Sequence, residues 1–274
     1  MSLNINTNSA SDFIQRSLSE ATSEMALRMQ RLSTGLRINS ASDDAASSGL
    51  SRKLKTQIIA SEVAKSNTQT GINLLQVADN DLGSIGDLMT QMRDLAVQSA
   101  NGVYSAAERT ALDSEFTTLR TEIDRISSSS SFSGINLLNT ASLSISLQVG
   151  TNNSANDTVT ITLDRATSTD FAINTNDLTS QTNAQTALGA LDTAINTISS
   201  RRAAIGSTIN RLSSNIQRID SRKENMASSN SILEDANIAT ESAGLSKAQI
   251  RQQAAAALFQ QAKQIPSVAL TLIQ

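Results

Sequence analysis

Both ends of this chain carry the same helical signature. Ile14, Leu18, Ala21, Met25, Met29, Leu32 and Leu36 recur at steps of three and four, and so do Ala254, Leu258, Ala262, Ile265, Ala269 and Leu272. That spacing places apolar side chains on one narrow stripe of an α-helix. A short amphipathic helix is marginal in water by itself, so each stripe needs a partner helix. The two ends are therefore expected to pair with each other. A chain with such a segment at each end is expected to assemble.

Composition favours long slender bundles over a spheroidal core. Aromatics are only 2 % of the 274 residues, so the usual bulky core fillers are scarce. A single Pro and 11 Gly leave room for long uninterrupted helices. The formal net charge of −3 lacks the basic excess of a nucleic-acid binder. No apolar run is long enough to span a bilayer, and the polar segment 1–11 does not read as a secretory signal peptide. His and Cys are both absent, which removes imidazole bases, thiolate nucleophiles and the usual zinc ligands. No enzyme, cofactor or metal site is expected, no nucleic acid and no membrane. Asp43 and Asp44 read as charges at a helix start, with Ser40 or Ser42 as the cap.

Along the chain the helical pattern breaks at 39–44, which reads as a joint. A long helix follows over about 44–100, its seam clearest at Leu75, Ala78, Leu82, Ile85, Met89, Met92 and Ala96. Asn101-Gly102 reads as a turn, and Ser105 with Glu108 as a capping box that starts a helix over 105–127. Residues 141–174 change character. Leu143, Ile145, Leu147 and Val149 alternate with polar residues, as do Val159, Ile161 and Leu163, which predicts a β-hairpin with a long polar loop. Phe171 and Ile173 are expected to extend that sheet or pack under it. A last rod helix is expected over 184–232, with Thr182 and Gln185 as a capping box and a seam at Leu188, Leu191, Ile195, Ile198, Ile205, Ile209, Leu212, Ile216, Ile219 and Met226; at the standard rise it would be roughly 70 Å long. A second joint is expected at 234–247, where the seam turns polar. Pro266 is expected to kink or end the terminal helix. The pentapeptide GINLL occurs at 71–75 and again at 134–138 and is read as one local solution used twice.

The fold class expected is mainly α: a long antiparallel coiled-coil or helical-bundle rod with a small β-hairpin region and paired terminal helices. Residues 1–43 with 235–274 form one expected domain, and 44–234 the rod.

Four stretches then carry a resemblance. They are MQRLSTGLRINSASDDAA at 29–46, MRDLAVQSANG at 92–102, FSGINLL at 132–138, and EDANIATESAGLSKAQI at 234–250 followed by QQAA at 252–255. Together they resemble bacterial flagellin over essentially the whole chain. The resemblance implies a subunit of the flagellar filament, exported through the flagellar type III apparatus with an export chaperone and located outside the cell. It implies junction and cap proteins as further partners, and terminal helices that fold fully on assembly. The 127–184 stretch leaves no room for large outer domains, so a core-only form is expected. The zinc protease motif of some flagellins cannot occur without His.

Inner-core subunit packing is expected at Ile14, Leu18, Met25, Met29, Leu32, Leu258, Ala262, Ile265 and Leu272. The family's rod surface, which packs against neighbouring subunits and docks the vertebrate toll-like receptor for flagellin, maps to Gln91, Arg93, Leu95, Gln98 and Glu115. Arg is common in the family where this chain has Gln91. Gln lacks the charge and the planar fork, which counts against receptor docking, and subunit packing is the favoured role. The Ser/Thr-rich segments 127–133 and 151–169 read either as solvated loops or as O-glycosylation sites. The sequon matches at Asn152 and Asn156 read as accidental. Two other readings share part of the pattern: a hook–filament junction protein, and a soluble coiled-coil adaptor or signalling rod.

Overall fold

A computed structural model describes the backbone of residues 9–271 and the side chains of residues 9–264. Five helices are present among the described residues: α1 (Ser9–Thr34), α2 (Ala45–Ser99), α3 (Ala106–Ser129), α4 (Gln181–Glu234) and α5 (Ile238–Thr271). Between α3 and α4 lie two antiparallel hairpins, β1 (Ser131–Phe132) with β2 (Ile135–Asn136), and β3 (Leu143–Gln148) with β4 (Thr158–Leu163). The fold is mainly α, as expected. Contacts divide the chain into two compact units, residues up to Thr56 with those from Glu224 onward, and Gln57–Lys223. Both α2 and α4 contribute to each.

In the terminal unit, α1 packs on α5 in antiparallel fashion. Arg28 bonds Glu241, Arg251 reaches Glu24, and Gln252 reaches Thr22, so one chain direction descends as the other ascends. Ala21 is the buried residue at the centre of α1, while Glu241, Ala248, Ala255 and Ala262 are buried on α5 at a strict seven-residue repeat. The alanines among them are small enough to let the two helices pack closely. The chain connects through a short backbone ladder. Gly35, in the left-handed conformation at φ 71°, offers its carbonyl to Ala236 N, and Leu36 bridges Asp235. A side chain would be strained at that φ.

Two details of the joints differ from expectation. The break before α5 is only three residues, because the polar stretch 238–247 is helical. Its polar members are satisfied: Asn237 Oδ1 accepts from Thr240 N as a cap, and the buried Glu241 carboxylate faces two arginines. At the first joint, Asp44 is itself the cap of α2, accepting from Ser47 N, while Asp43 accepts from Asn39 N and Ser40 N. The Ser40 and Ser42 hydroxyls bond to each other instead. A carboxylate is the stronger acceptor at the positive end of a helix.

In the rod unit, α2 and α4 run antiparallel, tied by Glu62–Lys223, Lys65–Asp220 at 2.8 Å, Asp79–Arg202 at 2.9 Å and Arg93–Asp192 at 2.7 Å. The expected seams are buried. Leu75, Leu82, Ile85, Met89 and Met92 of α2 lie in one core with Leu191, Ile198, Ile205 and Leu212 of α4. Phe116 and Ile123 of α3 complete it. Polar side chains of α3 hold the irregular segment that leads into α4. Asp124 accepts from Ser168 N and Oγ, Asp113 from Leu178 N, and Arg120 donates to the carbonyls of Asn174 and Asn176. Phe171 and Ile173 are buried in that segment, packed in the core and not in a strand. The start of α4 is capped by Ser180, whose Oγ accepts from Asn183 N, and not by Thr182. The capping box of Ser105 and Glu108 is present in full.

The β3–β4 hairpin lies on α2. A Cβ at Gly71 would meet Leu147 Cδ1 at 2.1 Å, so the glycine in mid-helix provides the seat for that leucine. The repeated GINLL takes two conformations, which overturns the single-solution reading. At 71–75 it is helix; at 134–138 it leaves a tight turn and enters β2. What the copies share is burial of the Leu pair, Leu74–Leu75 and Leu137–Leu138. α5 runs through position 266 to Thr271, so Pro266 does not end it.

Candidate self-association surface

Sequence and geometry together place two surfaces on view. The first belongs to the terminal unit. Its internal polar organiser is Glu241: Oε2 lies 2.8 Å from Arg28 Nη1, and Oε1 lies 3.5 Å from Arg31 Nη1. The bond to Glu241 raises the Arg28 pKa further above its ordinary value. Gly244 lies one turn further along α5, where a Cβ would come within 3.1 Å of Arg28 Nε. Its missing side chain lets the guanidinium lie across the helix. Glu24 joins the network through Arg251 at 3.1 Å and Arg28 at 3.6 Å.

A second polar cluster ties α4 to the first turns of α2. The Glu234 carboxylate accepts from Lys55 Nζ at 2.6 Å and Asn230 Nδ2 at 3.1 Å, with the buried Ser51 hydroxyl at 2.9 Å. The Lys55 bond first, then Ser51 and Asn230, hold its pKa below the ordinary carboxylate range against the opposing effect of burial. Arg37 clamps the end of α4 by donating Nε and Nη2 to the Leu233 carbonyl.

These interactions leave part of the expected packing set outward. Ile14, Leu18, Met25 and Leu32 are half-buried on α1, and Ala262 is buried on α5. Met29 is 55 % exposed and Leu258 is 53 % exposed, so neither is covered by the described residues. The buried repeat of α5 passes through Ala255 and Ala262, not through the expected Ala254 and Leu258. Alanines fill 254–257, and periodicity alone cannot choose a face in such a run. Ile265 has no described side chain, and Leu272 lies outside the described residues. Phe13, Ile238 and Ile250 are exposed as well and were not among the expected residues. Phe13, Met29, Ile238, Ile250 and Leu258 are thus five large apolar side chains left in water on α1 and α5.

The second surface belongs to the rod unit. Gln91, Gln98 and Glu115 are exposed. Arg93 is partly exposed and bonds Asp192 Oδ1 through Nε at 2.7 Å; that bond raises its pKa. Leu95 does not join this surface. It is 9 % exposed and sits in the rod core beside Ala96, because it lies on the inward face of α2.

Among the described residues, no group of three or more acidic side chains is placed to hold a metal ion, and no helix is long and apolar enough to cross a membrane. What these surfaces offer chemically is apolar area and hydrogen-bonded charge, suited to binding another helix.

Comparison with known proteins identifies the lineage. Residues 5–143 match the bacterial flagellin N-terminal helical region, and residues 188–273 match the bacterial flagellin C-terminal helical region. Polar flagellin F of Vibrio parahaemolyticus is 44 % identical over 150 residues, which is 55 % of this chain and 40 % of that relative. The B-type flagellin of Pseudomonas aeruginosa is 42 % identical over 168 residues, 61 % of this chain and 34 % of that protein. The chain thus spans well under half the length of these curated relatives. The crystal structure of Bacillus cereus flagellin superposes with a TM-score of 0.50 at 35 % identity, covering 60 % of this chain and 94 % of that one. With the N-terminal and C-terminal regions both matched, and in that order, the chain belongs to the bacterial flagellin family.

Proposed function

We propose that this chain is a structural subunit that polymerises into an extracellular flagellar filament for motility. The observation that carries the reading is the terminal unit, an antiparallel α1–α5 pair that still exposes Phe13, Met29, Ile250 and Leu258. Burying such side chains against neighbouring copies contributes about 1.5–3 kcal/mol each. The residues expected to pack in the inner core are Ile14, Leu18, Met25, Met29, Leu32, Leu258, Ala262, Ile265 and Leu272. On the rod they are Gln91, Arg93, Gln98 and Glu115. The domains proposed are 1–43 with 235–274 for the inner core and 44–234 for the rod. The role is structural and not catalytic. Export through the flagellar type III apparatus, an export chaperone, and junction and cap proteins belong to the same reading. Docking to a host toll-like receptor is disfavoured by Gln91, which lacks the guanidinium fork.

Deleting residues 1–35 tests the reading against a soluble coiled-coil rod. Without α1, the α5 face that carries Ala248, Ala255 and Ala262 loses its partner. The truncated chain is expected to keep a helical rod and to lose all polymerisation. An adaptor rod would keep its oligomeric state in the same sedimentation experiment, and that result would contradict the proposal.

A further inference from the structure

The rod unit uses nearly all its charges internally and leaves two groups over. On α4, Arg201 donates to the Arg165 carbonyl and lies over the Phe171 ring, while Arg202, Asp192, Asp220 and Lys223 are each in an ion pair. Arg211, Arg218 and Arg222 are exposed and have no acidic partner within 4.0 Å among the described residues, although Arg218 donates Nη2 to Asn215 Oδ1 at 2.5 Å. Spaced by seven and four, they share one face. Two of them line an open groove of about 860 Å³ between α4 and the β3–β4 hairpin, together with Asn156, Thr158, Asn210 and Asn215. Apart from Glu108, held in its capping box, the exposed acids of the rod unit outside any ion pair are Asp164 just after β4, which lines a second pocket with Arg211, Asp87 and Asp94 of α2, a heptad apart, and Glu115 of α3.

The stripe and the Asp87–Asp94 pair cannot meet within one chain. The foot of the hairpin touches α2 at Asn67, which donates to the Gln148 carbonyl. Asp87 and Asp94 lie about 30–40 Å farther along the same rigid helix. We infer that the Arg211–Arg218–Arg222 stripe and its groove receive the Asp87–Asp94 face of a second copy of this chain. Charge complementarity selects that occupant: guanidinium forks pair with carboxylates in two-bond geometry, and the three arginines of the stripe outnumber Asp164, the one unpaired acid that lines a pocket with one of them. The filament reading requires the head-to-tail form of this contact, in which the stripe of each copy receives the acids of the next. Such contacts do not close on themselves in pairs; they propagate into rings or helical filaments. The inference rests on the filament reading and adds to it one lateral contact with named residues.

The test is charge reversal, read as the critical concentration for polymerisation of the full chain. Arg211→Glu with Arg218→Glu is expected to raise it by about tenfold or more, and so is Asp87→Arg with Asp94→Arg. All four substitutions in one chain are expected to restore growth. Arg211→Gln with Arg218→Gln, checked for intact helix by circular dichroism, gives a smaller rise and separates lost attraction from misfolding. If the unaltered chain polymerises and the reversal variants do so at the same concentration, the stripe contact is wrong and the filament reading stands. Failure of the fourfold variant to recover would also overturn the contact. If the unaltered chain does not polymerise, both readings fall.

Discussion

At the scale of single residues, stability in the terminal unit depends on a few polar groups held in place. Glu234 is the clearest case. Three donors converge on one carboxylate, and its folded pKa lies below the ordinary 4.5. A lowered carboxyl pKa contributes stability that is fully present above the unfolded value and is lost as pH falls through the folded one. The chain is therefore expected to be more stable than its Glu234→Gln variant at about pH 6, with the gap narrowing toward about pH 3. Denaturant unfolding of both proteins across that range measures it. A gap that stays constant with pH would show that the carboxylate's charge contributes nothing. Glu241 teaches a complementary lesson. A buried acid in the first turn of α5 breaks the apolar pattern, so the residues around it read as part of a joint. The signal that could have located it was its place in the heptad with Ala248, Ala255 and Ala262.

At the scale of elements, legibility followed periodicity. The α2 and α4 seams were readable because Leu, Ile and Met recur at helical spacing with few competitors. The β3–β4 hairpin was readable because its two strands alternate cleanly. α5 was less so, since a run of alanines presents an apolar residue on every face. The β1–β2 hairpin was missed although its turn is written in the chain. Ser133 and Gly134 both adopt positive φ, at 52° and 81°, between Phe132 and Ile135. A two-residue loop with both residues left-handed matches the twist of the flanking strands, and Ser-Gly between two apolar residues was the available cue. Gly134→Ala is expected to cost about 1 kcal/mol, because an L side chain is strained at that φ. Thermal melting of the variant checks this, and an unchanged midpoint would contradict it. The GINLL pair shows why local pattern has limits: the same five residues are helix at one site and turn and strand at the other, with long-range packing of the Leu pair deciding.

At the scale of the whole molecule, the account holds that the chain is made to be completed by copies of itself. Family membership, apolar residues left exposed on the paired terminal helices, and leftover charges of opposite sign on the rod all point that way. The candidate surface was only partly legible. Spacing marked Met29 and Leu258, but which face of a helix is covered depends on its partner. Leu95 turned out to be covered by the rod's own core. The most direct measurement is electron microscopy of the purified chain after heating to monomers, cooling and adding short filament seeds. The account predicts long tubes with a central channel growing from the seeds. Discrete small oligomers, with no growth from the seeds, would contradict it.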